Sequence, residues 1–219
     1  MVATFSSDPS LAAFGSSFTA ITLAELGDKT FFIALILAVR HRARWVFIGS
    51  FAALTAVTLI SLALGYGLRE LLPQSLVPWL AAVLFLSFGI KLLIDAQGIA
   101  ANAASEEKVE VEQAISTAMN RNAFNTPWAV VWEVFVLVFI AELGDRTQFT
   151  TIFMATAPVQ VFSFGGLLTG TLLGHALVTW LAVGAGKWIG QWVNERLLYR
   201  LSGGLFLAFG LLALSQALN

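Results

Sequence analysis

Six long apolar stretches alternate with short polar segments along the chain of 219 residues. Each is long enough to supply the roughly 20 apolar residues that an α-helix needs to cross the hydrocarbon core of a bilayer. Prolines, charged residues or both separate neighbouring stretches. This pattern predicts an all-α integral membrane protein with six transmembrane helices. The predicted spans cover residues 11–39, 45–68, 76–97, 128–157, 160–189 and 197–217.

The second half of the chain repeats the first. The segment Glu25-Leu-Gly-Asp-Lys-Thr30 returns as Glu142-Leu-Gly-Asp-Arg-Thr147, and Phe85-Leu-Ser-Phe-Gly89 returns as Phe206-Leu-Ala-Phe-Gly210. Because each copy has three spans, an odd number, the second copy enters the membrane the other way up. Many secondary transporters consist of such inverted-topology repeats. We therefore predict a three-helix repeat over residues 1–97, a polar cytoplasmic linker over 98–127 and a second three-helix repeat over 128–219.

Composition supports a membrane protein with little soluble mass. Hydrophobic residues make up 58% of the chain and charged residues 11%, with a mean hydropathy of +0.83, whereas about 25% of the residues in soluble domains are charged. The net charge of -1 and the lack of a basic tail argue against nucleic-acid binding. Because the chain has no cysteine, disulfides and thiolate metal sites are excluded. The segment Met1 to Ser10 lacks the basic start of a signal peptide, so we expect the first apolar stretch to remain as a span.

Lys and Arg are distributed unequally between the two predicted faces of the membrane, which predicts orientation. One face has Arg69 alone, and this bias places the other, basic face in the cytoplasm. Both termini are then predicted to lie on the non-cytoplasmic side. The basic face carries Arg40, Arg42, Arg44, Lys91, Lys108, Arg121, Lys187, Arg196 and Arg200.

The repeated motif places carboxylates where a membrane helix is expected to be apolar. One charged side chain near the bilayer centre costs about 2.5–3.5 kcal/mol on insertion scales, and intramembrane carboxylates typically mark ion or proton pathways. A glycine between the carboxylates lowers helix propensity by about 1 kcal/mol relative to alanine, which is typical of interrupted transporter helices. Inverted repeats bring both motifs together near the membrane midplane. The predicted cation-binding residues are Glu25, Asp28, Glu142 and Asp145.

Charge balance favours exchange of a metal ion for protons. Four buried carboxylates cannot all be ionised without partners, so a divalent cation, protons, or the cations Lys29 and Arg146 must neutralise them. Each motif sums to minus one, and a single divalent ion balances the pair. All ligands within the motifs are oxygens, which suit Ca²⁺, Mn²⁺ and Mg²⁺, although Mg²⁺ loses its water reluctantly. The predicted supporting residues are Lys29, Thr30, Arg146, Thr147 and Gln148.

The same residues also fit other functions. Glu25 and Lys29 have the i,i+4 spacing of an ion pair that ties helices together, and a ring of acids is also typical of a cation channel. A small exporter of another solute would share the layout, whereas no distinct nucleophile supports a membrane enzyme. Glu133 is a candidate relay carboxylate or a residue that reaches water at the interface. His175 is a candidate proton carrier or a packing residue.

The doubled Glu-x-Gly-Asp-Lys/Arg-Thr motif in a small six-span chain resembles the Ca²⁺/Mn²⁺:H⁺ antiporters of Golgi, chloroplast and cyanobacterial membranes, also catalogued as uncharacterised protein family 0016. The resemblance covers essentially the whole chain. It implies export of Mn²⁺ or Ca²⁺ from the cytoplasm in exchange for protons, with no cofactor, and assigns the cation site to the four motif carboxylates. Eukaryotic members often have an N-terminal targeting segment, and no such segment is recognisable in this sequence. We therefore expect a bacterial or cyanobacterial member in a plasma or thylakoid membrane. The sequence is compatible with a homodimer.

Overall fold

The computed structural model describes residues 8–98, 113, 126–157, 163–185 and 195–218. These ranges are α-helical with short connections, and no strand occurs among them. Most of the predicted linker lies outside the described residues, as do Lys108, Arg121 and Lys187. The helices are α1 (Pro9–Glu25), α2 (Lys29–Arg40), α3 (Ala43–Leu71), α4 (Val77–Gly98), α5 (Pro127–Glu142), α6 (Arg146–Thr156), α7 (Phe164–Ala185) and α8 (Glu195–Leu218).

Long apolar helices dominate the described chain. By length and composition, four helices are each able to cross a membrane: α3, α4, α7 and α8. Together, α5 and α6 are also long and apolar enough to form one span, and the pair is bent by 69°. The described chain therefore has four candidate spans, or five when the bent pair is counted as one. Large apolar side chains such as Leu59, Trp132, Trp180 and Leu211 are exposed on the outer surfaces of these helices. Such surfaces suit contact with lipid, and the predicted all-α membrane architecture is confirmed at this level.

Both motif segments interrupt a helix at the same position. α1 ends at Glu25 and α2 starts at Lys29, while α5 ends at Glu142 and α6 starts at Arg146. Gly27 and Gly144 lie in the breaks with φ of 81° and 83°, a left-handed conformation that glycine adopts without a Cβ clash. The amide of the motif aspartate donates to the carbonyl of the preceding motif glutamate in both breaks, at 3.2 and 3.1 Å. The predicted spans 11–39 and 128–157 are thus each two helices joined by a tight turn.

Glycines let α3 pack closely along the second broken helix. A Cβ on Gly49 would lie 2.6 Å from the carbonyl oxygen of Val131, and one on Gly65 would lie 2.5 Å from that of Ile152. Residue numbers rise together along both partners, so α3 runs parallel to α5 and α6. In the same way, α7 runs parallel to α1, with Gly174 beside Ile21.

The helices α4 and α8 pack against each other on the side of the bundle. A Cβ on Gly89 would meet Leu207, and one on Gly210 would meet Leu86, so these two helices are antiparallel. Phe85 packs between Phe206 and Phe209, with both ring centroids 6.0 Å away. The remaining helices form the core that positions both breaks.

Candidate functional site

The two helix breaks place four carboxylates inside the bundle. Glu25 and Glu142 end α1 and α5, and each is only 1% exposed. Asp28 and Asp145 precede the first turns of α2 and α6 as N-caps, where the positive end of a helix dipole favours a negative group. Asp28 is buried, whereas Asp145 is half-buried.

A threonine hydroxyl holds one oxygen of each buried glutamate. Thr30 Oγ1 donates a hydrogen bond to Glu25 Oε2 at 2.8 Å, and Thr147 Oγ1 donates to Glu142 Oε1. A regular helix would turn each threonine away from its glutamate, and the glycine break brings them together. The opposite oxygens, Glu25 Oε1 and Glu142 Oε2, are buried without a hydrogen-bond partner among the described residues.

The two motifs contact each other. The carboxyl group of Glu25 lies within hydrogen-bonding reach of the side chains of Glu142 and Thr147, and it is close enough to Asp145 for electrostatic repulsion. Glu142 in turn experiences the negative charges of Asp28 and Asp145. The structure thus brings the four predicted acids of the two motifs close to one another.

An ion pair also joins the two halves of the chain. Arg146 Nη2 lies 2.8 Å from Asp28 Oδ1, and the same nitrogen donates to the carbonyl of Ala24 at 3.4 Å. The guanidinium stands 5.8 Å from the ring centroid of Tyr199. Asp28 makes no side-chain cap to α2, whereas Asp145 Oδ2 accepts from the amide of Thr147 at 3.2 Å. The two aspartates are therefore used differently in this conformation.

The other two supporting residues lie at the edges of the breaks. Lys29 is the first residue of α2, at the position equivalent to Arg146 in α6, and is half-buried. Gln148 Oε1 accepts a hydrogen bond from the amide of Gly144 at 2.7 Å. Gln148 thus stabilises the second break and points its acceptor at the backbone rather than at the carboxylates.

Buried hydroxyl groups that our sequence reasoning missed lie on α3 and α7, and two of them, Ser50 and Thr179, line a cavity with Glu25. Their spacing of three or eight residues, which keeps them on one side of a helix, is a usable signal. It is weak because Ser and Thr satisfy themselves on the carbonyls of their own helix. Thr58, for example, donates to Leu54 O at 2.8 Å. The buried polar residues on these two faces are Ser50, Thr58, Ser61, Thr171, His175 and Thr179.

Two further candidates occupy different places. His175, on α7, is 4% exposed, and its Nδ1 lies 3.6 Å from Glu25 Oε1. Glu133 lies in the first half of α5, and its Oε1 is buried with no hydrogen-bond partner in the described ranges. Among the described residues, no three His, Asp or Glu side chains are arranged as a complete metal shell. In the described conformation, Arg146 pairs with Asp28 and so neutralises part of the acidic charge.

Comparison with known proteins identifies the family. Residues 13–100 and 130–219 match the family described as divalent cation/proton antiporter GDT1. The chain belongs to the GDT1 family. The matched segments nearly coincide with the two halves that carry the motifs, and the resemblance predicted from these motifs is confirmed. GDT1 proteins are cation/proton antiporters, so the chain is a membrane transporter rather than an enzyme.

Relatives occur in a cyanobacterium and in plants. The GDT1-like protein sll0615 of Synechocystis sp. (strain ATCC 27184 / PCC 6803 / Kazusa) is 38% identical over 204 residues, 93% of this chain and 97% of the relative. GDT1-like protein 1, chloroplastic, of Oryza sativa subsp. japonica is 36% identical over 94% of this chain and 62% of its own length. Protein PAM71, chloroplastic, of Arabidopsis thaliana is 37% identical over 94% of this chain and 57% of its own length. The chain therefore spans about three-fifths of these plant proteins. No solved structure matches it.

Proposed function

We propose that the protein exports Mn²⁺ or Ca²⁺ from the cytoplasm in exchange for protons, with Glu25, Asp28, Glu142 and Asp145 as the cation ligands. One observation carries the proposal: carboxylates from both halves of the chain lie close together at two helix breaks, and both glutamates are buried. The free oxygens Glu25 Oε1 and Glu142 Oε2 are available for a cation. The oxygen donors suit both ions.

We also propose six spans in two inverted repeats, over residues 1–97 and 128–219, with α1 and α2 together as the first span. Parallel packing of α3 along α5 and α6, and of α7 along α1, supports this topology. Two aromatic contacts also support it. The ring centroids of Trp45 and Trp128 are 6.4 Å apart, and those of Tyr66 and Phe164 are 5.6 Å apart. The basic turn before α3 would then face the cytoplasm, and both termini the opposite side. The cyanobacterial and chloroplast relatives fit a plasma or thylakoid membrane.

The exchange of a cation for protons follows from charge balance among buried acidic groups. The two motifs together carry a formal charge of minus two when every group is ionised, so one divalent cation neutralises them. With the cation bound, protons leave the glutamates and Asp28 exchanges its pairing with Arg146 for the cation. At the acidic face, protons return to the glutamates, Arg146 pairs again with Asp28, and the cation leaves. Because the repeats are proposed to be inverted, the same site opens to either face by alternating access.

Reconstitution tests this function directly. Proteoliposomes with an acidic lumen and an internal pH dye should take up external Mn²⁺ or Ca²⁺ while the lumen becomes more alkaline. The variants Asp28→Ala and Asp145→Ala should abolish both signals, whereas Glu70→Gln, at an exposed position near the end of α3, should transport normally. Cation flux without any movement of protons would instead indicate a channel. Near-normal exchange by both aspartate variants would contradict the assigned site.

A further inference from the structure

A small cavity beside Glu25 contains an unusual concentration of unsatisfied polar atoms. It lies between the first turn of α2 and the facing sides of α3 and α7, and holds about one water molecule. Glu25 Oε1, Ser50 Oγ and His175 Nδ1 all belong to residues that line it, and none of these buried atoms has a hydrogen-bond partner in the part of the chain that the structure describes. Buried polar groups in proteins normally have partners, so a water molecule or an ion in this cavity would satisfy these atoms.

The three atoms form a donor set suited to a cation. Ser50 is 1% exposed and His175 is 4% exposed, so neither reaches solvent. His175 Nδ1 lies 3.6 Å from Glu25 Oε1, a separation at which one ion can contact both atoms. Phe31, Leu54 and Val178 form apolar walls around them. A space for one water also accommodates one dehydrated metal ion.

The two halves differ at the position of His175. With the offset of 117 residues that relates the two motifs, His175 corresponds to Thr58, whose hydroxyl is occupied by the carbonyl of Leu54. The glutamate of the first motif therefore has a histidine nitrogen beside it, whereas the equivalent position, Thr58 on α3, carries a hydroxyl. A histidine at one of two equivalent positions is more consistent with ion recognition than with symmetric packing.

We propose that His175 supplies a nitrogen ligand to the transported cation beside Glu25 and thereby makes the site prefer Mn²⁺ over Ca²⁺. This proposal rests on the exchange function above and adds its specificity. Ca²⁺ is bound almost entirely by oxygen, whereas imidazole is a ligand for first-row transition ions. A single nitrogen in an otherwise oxygen-lined site therefore favours Mn²⁺ without excluding Ca²⁺.

Electron spin-echo spectroscopy of Mn²⁺ bound to the purified full chain tests the contact. Directly coordinated imidazole gives a nitrogen modulation, and labelling of histidine with ¹⁵N should change its frequencies in the wild-type protein. The sequence has two histidines, so His41→Gln is a matched control. We expect the modulation to persist in His41→Gln and to disappear in His175→Gln. Absence of nitrogen modulation in the wild-type protein would overturn the proposal, whether or not any variant folds.

Transport selectivity gives a second readout. In proteoliposomes, His175→Gln should weaken apparent Mn²⁺ affinity by about tenfold or more, the scale seen when metal-site groups are altered, and should leave Ca²⁺ affinity within about twofold. Unchanged relative affinity for the two ions in a folded His175→Gln protein would contradict the specificity role while exchange itself stands. Failure of wild-type protein to exchange either ion for protons would instead reject the underlying function.

Discussion

In each buried glutamate of the site, one carboxylate oxygen accepts a hydrogen bond, and the other has no hydrogen-bond partner among the described residues. Thr30 and Thr147 donate to the held oxygens, and this contact fixes the carboxylate plane. The free oxygens then point in a defined direction, which reduces the entropy that a bound ion would otherwise have to remove. At the scale of single residues, the threonine of the motif is a positioning group for the acid that precedes it by five residues.

The first prediction concerns the hydroxyl of Thr147. Thr147→Val keeps the shape of the side chain but removes the donor to Glu142, and a hydrogen bond to a charged group contributes about 1.5–3 kcal/mol. We therefore expect apparent cation affinity to fall by about tenfold, measured from the concentration dependence of uptake into proteoliposomes. Thr147→Ser, which retains the hydroxyl, should stay within about threefold of the wild-type protein.

The control for this variant is Thr169→Val on α7. Thr169 is exposed, and its hydroxyl donates to carbonyls of its own helix at Gly165 and Gly166. Its transport should match the wild-type protein. If Thr147→Val also transports with unchanged affinity, the hydroxyl does not position Glu142.

At the scale of elements, the breaks depend on a backbone conformation that most residues avoid. Gly144 has φ of +83°, and no described atom beyond its chain neighbours lies within 4 Å of the Cβ it would carry. Gly144→Ala should therefore be destabilised through backbone strain alone, by about 1–2 kcal/mol. Gly144→Asn should recover part of this loss, because asparagine tolerates the left-handed region better than alanine. Thermal unfolding in detergent measures both.

Gly15→Ala provides the comparison for this prediction. Gly15 lies within α1 and also has open space where a Cβ would project, so alanine there should be neutral or stabilising by up to about 1 kcal/mol. Equal melting temperatures for Gly144→Ala and Gly15→Ala would show that the break does not require a positive φ.

Close packing of α3 against α6 gives a third prediction. A Cβ on Gly65 would lie 2.5 Å from both Ala155 Cβ and Ile152 O, whereas one on Gly67 would meet no described atom within 4 Å. Both Gly65→Ala and Gly67→Ala gain about 1 kcal/mol of helix propensity. Overpacking costs about 1–3 kcal/mol, so Gly65→Ala should unfold at a lower temperature than Gly67→Ala. The reverse order would mean that α3 and α6 separate easily at this contact.

Some elements were predictable from the sequence, and others depended on distant contacts. Apolar runs of sufficient length predicted α3, α4, α7 and α8, because hydrocarbon thickness sets helix length. Gly27 and Gly144 predicted the interruptions, but their φ values and the 69° bend come from packing in three dimensions. The pairing of Arg146 with Asp28 was not predictable. Local spacing favoured Lys29 with Glu25, and nothing in a linear pattern identifies a partner in the other half.

At the scale of the whole molecule, neither half completes the site alone. Glu25 contacts Glu142 and Thr147, Asp28 contacts Arg146, and His175 from α7 lies beside Glu25. A relative movement of the two halves therefore changes every one of these contacts at once. Under the proposed function, this arrangement would link cation binding, proton binding and the opening of one face or the other, as an exchanger requires and a fixed pore does not.

The last prediction concerns the sidedness of the molecule, since export requires a defined orientation. α3 has 29 residues, about 43 Å at the rise of an α-helix, which exceeds the roughly 30 Å of the hydrocarbon core. Its two ends should therefore lie on opposite faces, with the basic turn that includes Arg42 in the cytoplasm. Because the chain contains no cysteine, single-cysteine variants report position without background.

We expect Ala43→Cys and Ser75→Cys, both at exposed positions, to react with an impermeant maleimide from opposite sides of sealed membrane vesicles. Inside-out vesicles should label Ala43→Cys, and right-side-out vesicles should label Ser75→Cys. Ala53→Cys, at a position with 0% exposure, should react from neither side and controls for leaky vesicles. Labelling of both exposed sites from the same face would rule out α3 as a span. Labelling of Ala43→Cys in right-side-out vesicles and of Ser75→Cys in inside-out vesicles would place the basic turn outside the cytoplasm, and this would reject the proposed direction of export.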